Sequence, residues 1–132
     1  MKDSEGNLGS GLLIDTSILI NYSKKRKIEE IINNSISVIT LIEFLRYFGR
    51  KDERIEVKKT LEDLFSVVFI DNDIIDNYCG LYNELKKGGR LIEDADLLIA
   101  ATAISKILFS GLKIENISKD SRTTGLDYCE LM

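Results

Sequence analysis

Short apolar runs alternate with longer amphipathic segments along this chain. The runs "GLLID" (11–15), "SISVIT" (35–40) and "SVVFI" (66–70) are nearly continuous, as is typical of strands buried on both faces of a parallel sheet. Between them, apolar residues recur every three or four positions, which predicts helices. A regular alternation of strands and helices predicts an α/β fold with a mostly parallel sheet.

The helices can be placed from the same pattern. We expect one to begin near Ile18, capped by Thr16 or Ser17. Further helices are predicted over 24–34, 40–50, 54–65, 71–89 and 94–108, and a last strand over 112–117. The segment 94–108 is apolar almost all round, which indicates a buried helix.

Length and composition favour one globular domain. The chain has 132 residues, of which 44% are hydrophobic, and it contains no proline and no Gly/Ser-rich linker. We expect residues 1–10 to be a flexible lead-in and residues 11–132 to form a single domain.

The residue types present limit the chemistry. The sequence has no histidine, which removes the usual general base, the commonest zinc ligand and the base of Ser-His or Cys-His pairs. Cys79 and Cys129 lack metal-ligand spacing and are expected to be reduced thiols. Any chemistry must therefore use carboxylates, hydroxyls, lysines or a hard metal ion.

Charge and hydropathy limit where the protein can be located and what it can bind. No apolar run is long enough to span a bilayer, and the polar N-terminus has no hydrophobic signal core. The expected location is therefore cytoplasmic. The net charge of −4 argues against a protein that coats nucleic acid, yet basic islands occur at 24–27, 46–51 and 86–90. These islands are either solvated helix faces or contacts to an RNA backbone.

Asp15 stands between two apolar runs, at the end of the first predicted strand. An unpaired charge buried there would cost several kcal/mol, so the carboxylate needs a partner. It either caps the following helix or binds a cation.

Glu43 and Asp96 are two further acids in unexpected places. Thr40 and Glu43 have the spacing of a capping box, which would place Glu43 in the first turn after the second strand. Asp96 shares a helix face with Ile99 and Ala103, where an acid needs a counter-charge. Its neighbour Asp94 is typical of an ordinary N-cap.

Carboxyl ends of parallel strands meet at one edge of a sheet, so the three acids are expected to converge. Converging carboxylates repel unless a cation joins them. Oxygen ligands favour Mg²⁺ or Mn²⁺. One such ion can polarise a phosphate and activate water, and a second can stabilise the leaving oxygen. The pattern therefore predicts phosphodiester hydrolysis.

Three segments in this order resemble the PIN domains. They are "LLIDTSILI", "SVITLIEFLRYF" and "DADLLIAATAI", and they are most similar to VapC-type toxins of toxin–antitoxin pairs. The resemblance extends over about residues 11–126. It implies a three-layer α/β/α fold around a mostly parallel sheet of about four to five strands. It also implies an endoribonuclease dependent on Mg²⁺ or Mn²⁺, a homodimer, and inhibition by a small VapB-type antitoxin.

The resemblance also suggests roles for individual residues. It implies that the metal-binding and catalytic acids are Asp15, Glu43 and Asp96, with Thr16 and Ser17 supporting the site and Asp94 auxiliary. At the fourth family position the sequence departs from the usual pattern, and either Asn116 or Asp120 could occupy it.

This departure leaves a second function open. The alternative to a ribonuclease is a catalytically impaired PIN domain that binds RNA or a protein partner. A metal-dependent phosphatase is a third class, although no glycine-rich phosphate loop is present. The apolar residues Ile28, Ile31, Ile32, Phe44 and Phe48 are either core or part of a dimer or antitoxin surface.

Overall fold

The fold is given by a computed structural model that describes residues 11–109. Its strands are β1 (Leu13–Ile14), β2 (Ser35–Ser37) and β3 (Ser66–Val68). Its helices are α1 (Thr16–Lys24), α2 (Val38–Leu45), α3 (Lys51–Leu64), α4 (Asn72–Lys87) and α5 (Asp94–Phe109).

The three strands form one parallel sheet in the order β1-β2-β3. Ile14 is paired with Ile36, and Ile36 with Val67. The predicted parallel α/β architecture is therefore confirmed. The further strand predicted over 112–117 lies outside the described residues, as do residues 1–10.

The two faces of the sheet contact different apolar clusters. Leu12 and Ile14 belong to the larger cluster, which includes Leu19 of α1 and Leu61 of α3. Leu13 points to the other face and packs against α5 residues, among them Ile99 and Ala103. Because side chains alternate along a strand, this short apolar run supplies both faces, and helices cover each of them.

The prediction of a helix over 24–34 is wrong. The helix α1 continues to Lys24, and the segment after it holds only a single 3₁₀ turn, Ile28–Glu30. Arg26 has a φ of 58°, and the N–H of Lys27 bonds to the carbonyl of Tyr22. This arrangement is a Schellman ending, which terminates the helix even though the apolar spacing continues.

Asn34 joins the strands where this segment ends. Its side chain is 2% exposed. Its Oδ1 accepts from the N–H of Leu12 (3.1 Å), and its Nδ2 donates to the carbonyl of Ile31 (3.0 Å). Its own carbonyl accepts from the N–H of Ser66 (3.0 Å). The side chain and the main chain of this one buried residue thus connect the segments leading into β1, β2 and β3.

The helix α2 begins earlier than the capping-box spacing predicts. Ser37 is the N-cap, and its hydroxyl accepts from the N–H of Ile39 (3.0 Å). Thr40 is therefore a buried helical residue, and the predicted Thr40–Glu43 capping box is wrong. The shift places Glu43 in the second turn of α2 and leaves its carboxylate free of any capping role.

Polar contacts connect the helices α4 and α5. Asn77 Nδ2 donates to Ser105 Oγ (2.7 Å), and Lys106 Nζ donates to Asp71 Oδ2 (2.7 Å). This lysine and the N–H of Ile74 lower the pKa of Asp71, which caps α4. In the part of the chain that the structure describes, no helix is both long and apolar enough to cross a membrane.

Candidate active site

A small cavity of about 190 Å³ lies beside the carboxyl end of β1. The described residues that line it come from α1, from α2 and the residues just after it, and from α5. They are Thr16, Ser17, Ile20, Glu43, Arg46, Tyr47 and Asp96. The cavity therefore contains two of the three predicted acids and both predicted hydroxyls.

Asp15 adjoins this cavity through Ser17 and is 1% exposed. It is itself the N-cap of α1, so the expectation that Thr16 or Ser17 would cap this helix is wrong. Its Oδ1 accepts from the N–H of Ile18 (2.9 Å) and from Ser17 Oγ (3.1 Å). The positive end of α1 thus stabilises the buried carboxylate and fixes its orientation.

A pair of threonines holds Glu43. Thr16 Oγ1 lies 2.6 Å from Glu43 Oε1 and 3.0 Å from Thr40 Oγ1. A hydroxyl has one proton, and an ionised carboxylate can only accept, so Thr16 donates to Glu43 and accepts from Thr40. Because Thr40 is fully buried, this chain of hydrogen bonds ties the Glu43 side chain to the rigid interior.

Asp96 lies in the first turn of α5 and is partly buried. Burial raises the pKa of its carboxyl, and the negative charges of Glu93 and Glu43 raise it further. The residues one turn on, Ile99 and Ala100, are buried in the core. Asp96 is thus an acid held at the edge of an apolar face, where another carboxylate repels it.

Asp94 has a different environment. It is exposed and is the first residue of α5, since the N–H of Leu97 bonds to the carbonyl of Glu93; the expected N-cap role is therefore wrong. Its Oδ1 accepts from the hydroxyl of Tyr78 on α4 (2.6 Å). This bond is the largest of several effects, followed by desolvation and the charge of Asp94, that raise the pKa of Tyr78 to about 12. Asp94 thus connects α4 to α5 and is not part of the cavity lining.

Four contributors to this region were not singled out as residues of the acidic site, although Arg46 belongs to the basic island 46–51 that could contact an RNA backbone. Thr40 carries the hydrogen bond behind Glu43, while Ile20, Arg46 and Tyr47 line the cavity. Arg46 and Tyr47 follow Glu43 by three and four positions, the helical spacing that places side chains on one face. That spacing is the signal that could have identified them.

The donors around the cavity are of the kind that hard cations prefer. Carboxylates and hydroxyls supply only oxygen, and the repulsion between Glu43 and Asp96 would be relieved by a positive ion. Within residues 11–109, no three acidic, histidine or cysteine side chains are close enough to form a complete metal site. The residues expected to supply the fourth position, Asn116 and Asp120, lie outside the described residues.

Comparison with known proteins identifies the family. The family model of the PIN domain matches residues 12–124. The chain belongs to the PIN domain family. This PIN domain is 46% identical over 97 residues to Ribonuclease VapC1 of Methanocaldococcus jannaschii, a match that covers 74% of this chain and 71% of the relative.

Solved structures of toxin–antitoxin complexes have the same fold as this PIN domain. VapBC-1 from nontypeable Haemophilus influenzae matches with a TM-score of 0.59 and 28% identity, over 70% of this chain and 78% of that chain. VapBC-5 from Mycobacterium tuberculosis matches with a TM-score of 0.52 and 27% identity, over 74% and 79% of the two chains. The family predicted from the three sequence motifs is thus confirmed.

Proposed function

We propose that this chain is an endoribonuclease and the toxin of a VapBC-type toxin–antitoxin pair. The observation that carries the proposal is the placement of Glu43 and Asp96 on one cavity, next to the capped Asp15. It is supported by the identity of 46% with Ribonuclease VapC1. A site made of carboxylates and hydroxyls with no histidine suits the metal-assisted hydrolysis of a phosphate ester.

The three acids Asp15, Glu43 and Asp96 would hold Mg²⁺ or Mn²⁺ in this proposal. When bound, such an ion supplies Lewis-acid polarisation of the scissile phosphate and a lowered pKa for attacking water. Glu43 and Asp96 are far apart in sequence but line one cavity, and Asp15 adjoins it through Ser17. Their mutual repulsion then favours binding of a divalent cation over protonation of one acid.

The surrounding side chains orient these acids. The N–H of Ile18 and the hydroxyl of Ser17 fix Asp15. Thr16 restricts Glu43 in the same manner, and the buried Thr40 fixes Thr16 in turn. Side chains held by hydrogen bonds need little rearrangement when a ligand binds, which is the requirement of an efficient site.

Partners and location follow from the same proposal. The structures with this fold include VapBC toxin–antitoxin complexes, so we propose a small VapB-type antitoxin as the protein partner. We further propose a homodimer that acts on RNA in the cytoplasm. Size-exclusion chromatography of the chain, alone and with the product of the adjacent gene, tests both assemblies.

Metal removal tests the proposed chemistry directly. We expect cleavage of RNA to stop in excess EDTA and to return when Mn²⁺ or Mg²⁺ is added above the chelator, because the proposed reaction depends on the ion to polarise the phosphate and lower the pKa of the attacking water. The measurement is the rate of cleavage of a labelled RNA pool on a denaturing gel. Undiminished cleavage in EDTA would contradict the metal requirement, whereas RNA binding without cleavage under any metal would favour the impaired, RNA-binding alternative.

The role of Thr16 gives a second prediction. The substitution Thr16→Val keeps the shape of the side chain but removes the proton donated to Glu43. We expect cleavage to fall about 10- to 100-fold, which is usual when a partner of a metal-binding side chain is lost. The conservative Thr16→Ser should restore most of the rate, since it keeps the hydroxyl. Equal rates for Thr16→Val and the wild type would show that this hydrogen bond does not contribute.

A further inference from the structure

Arg46 and Tyr47 form the wall of the cavity where α2 ends. Both line the same cavity as Glu43 and Asp96. Arg46 is exposed, and the side chain of Tyr47 is 68% exposed. A basic and an aromatic side chain are therefore adjacent to the two carboxylates and accessible to a ligand.

In the described part of the chain, the guanidinium of Arg46 forms no ion pair. Glu43 lies three residues before it, a spacing at which opposite charges on a helix commonly pair. However, Glu43 Oε1 bonds to Thr16 instead. The ion pairs among residues 11–109 join Arg50 to Asp52, Lys58 to Glu62 and Lys106 to Asp71, and none involves Arg46. The guanidinium can therefore bind an external anion, and its planar donors fit a phosphate well.

The size of the cavity limits what enters it. Its volume of about 190 Å³ is below the roughly 300–1,000 Å³ of pockets that enclose drug-sized ligands. A phosphodiester group fits, whereas a whole nucleotide extends out over the rim. The exposed ring of Tyr47 lies at that rim, and a nucleobase can stack on such a ring only when it is not paired and stacked within a duplex.

We propose that Arg46 and Tyr47 together bind one nucleotide of the RNA next to the cleaved bond. The Arg46 guanidinium pairs with a phosphate of this nucleotide, and the Tyr47 ring stacks on its unpaired base. This inference rests on the proposed ribonuclease function and adds two substrate-binding residues to it. It also requires that the RNA be single-stranded at the bound nucleotide.

Steady-state cleavage with Mn²⁺ tests the stacking contact. The probe is a labelled random-sequence single-stranded RNA. We expect Tyr47→Ala to raise KM about tenfold, in the range observed when a base-stacking aromatic is removed, with a smaller change in kcat. The variant Tyr47→Phe should keep KM within about twofold, since stacking uses the ring and not the hydroxyl. The matched control is Phe69→Ala, which removes an exposed aromatic (62% exposed) that is not part of the cavity lining.

The phosphate contact is tested in the same assay. We expect Arg46→Ala to lower kcat/KM by about tenfold or more, as is usual for the loss of a hydrogen bond to a charged group. The variant Arg46→Lys should recover part of this loss, because it keeps the charge but not the two parallel donors. The control Lys58→Ala removes an exposed cation that pairs with Glu62 on α3, outside the cavity and outside the three basic islands, and it should leave kcat/KM unchanged.

The outcomes separate this inference from the function on which it rests. Wild-type cleavage together with equal KM values for Tyr47→Ala and Phe69→Ala would overturn the inference and leave the ribonuclease proposal intact. A loss in Tyr47→Phe as large as that in Tyr47→Ala would overturn the stacking contact, as would equal cleavage of a double-stranded probe. An absence of cleavage by the wild type with either Mn²⁺ or Mg²⁺ would overturn the proposed function and the inference with it.

Discussion

The variant Asp96→Asn is expected to cleave RNA at least about 1,000-fold more slowly than the wild type. The amide keeps the size of the side chain but loses the negative charge that the proposed cation needs. Metal ions contribute several kcal/mol to stabilising the charge that develops on a phosphate, and about 4 kcal/mol corresponds to a factor of 1,000 in rate. Single-turnover cleavage of labelled RNA in excess Mn²⁺ measures this change.

The same substitution should not weaken the fold. Burial and the charges of Glu93 and Glu43 raise the pKa of Asp96. An acid whose pKa is higher in the folded than in the unfolded state stabilises the fold only below its unfolded value, near pH 4, and that contribution is lost as the pH rises through the folded value. At neutral pH the raised pKa of Asp96 therefore means that this carboxyl destabilises the metal-free protein. Urea unfolding in EDTA should show Asp96→Asn to be at least as stable as the wild type.

Asp94→Asn is the matched control for this prediction. Asp94 stands two positions earlier on the same helix, but its carboxylate accepts from Tyr78 and is not part of the cavity lining. An asparagine oxygen can accept the same hydrogen bond, so we expect cleavage within a few-fold of the wild type. Full activity of Asp96→Asn, or an equal loss in both variants, would contradict the assignment of Asp96 as the acid that holds the metal.

The core of the fold could be predicted because its signals are short-range and strong. The run 11–15 contains β1, and its residues Leu13 and Ile14 are fully buried as predicted. In the run 66–70 only Ser66–Val68 form a strand, which lies at the edge of the described sheet and is not buried on both faces.

The carboxyl-end rule for parallel sheets then places acids on one edge without any knowledge of distances. Glu43 and Asp96 line one cavity in the structure, but only Glu43 lies in a helix that follows a strand. Asp96 lies in the first turn of α5, which follows α4 and packs against Leu13 of β1.

The errors arose where backbone hydrogen bonding decides between similar patterns. The apolar spacing over 24–34 fits a helix, but the left-handed φ of Arg26 ends α1, and the pattern of apolar residues contains no sign of it. Several residues near the strand ends can cap a helix, and which of them does so depends on where the strand ends. In the structure the N-caps are Asp15 for α1 and Ser37, not Thr40, for α2. Such choices involve only about 0.5–2 kcal/mol each, so tertiary contacts decide them.

Asn34→Ala is expected to reduce the free energy of unfolding by about 2–5 kcal/mol. The amide of Asn34 is buried and bonds to the N–H of Leu12 and the carbonyl of Ile31. Each buried polar group left without a partner costs about 1–3 kcal/mol, and two groups lose theirs at once. Because small domains have only about 5–15 kcal/mol in total, the loss should be evident as a lower urea midpoint with a similar slope.

Two further variants separate hydrogen bonding from volume. Asn34→Leu fills the space but leaves the same two backbone groups unpaired, so we expect a loss close to that of Asn34→Ala. Asn21→Ala removes an exposed asparagine from α1 and should change stability by no more than about 0.5 kcal/mol. If Asn34→Leu were as stable as the wild type, packing volume would account for the effect. A large loss in Asn34→Leu would instead show that the fold is stabilised by the hydrogen bonds of the Asn34 amide to the backbone groups just before β1 and β2.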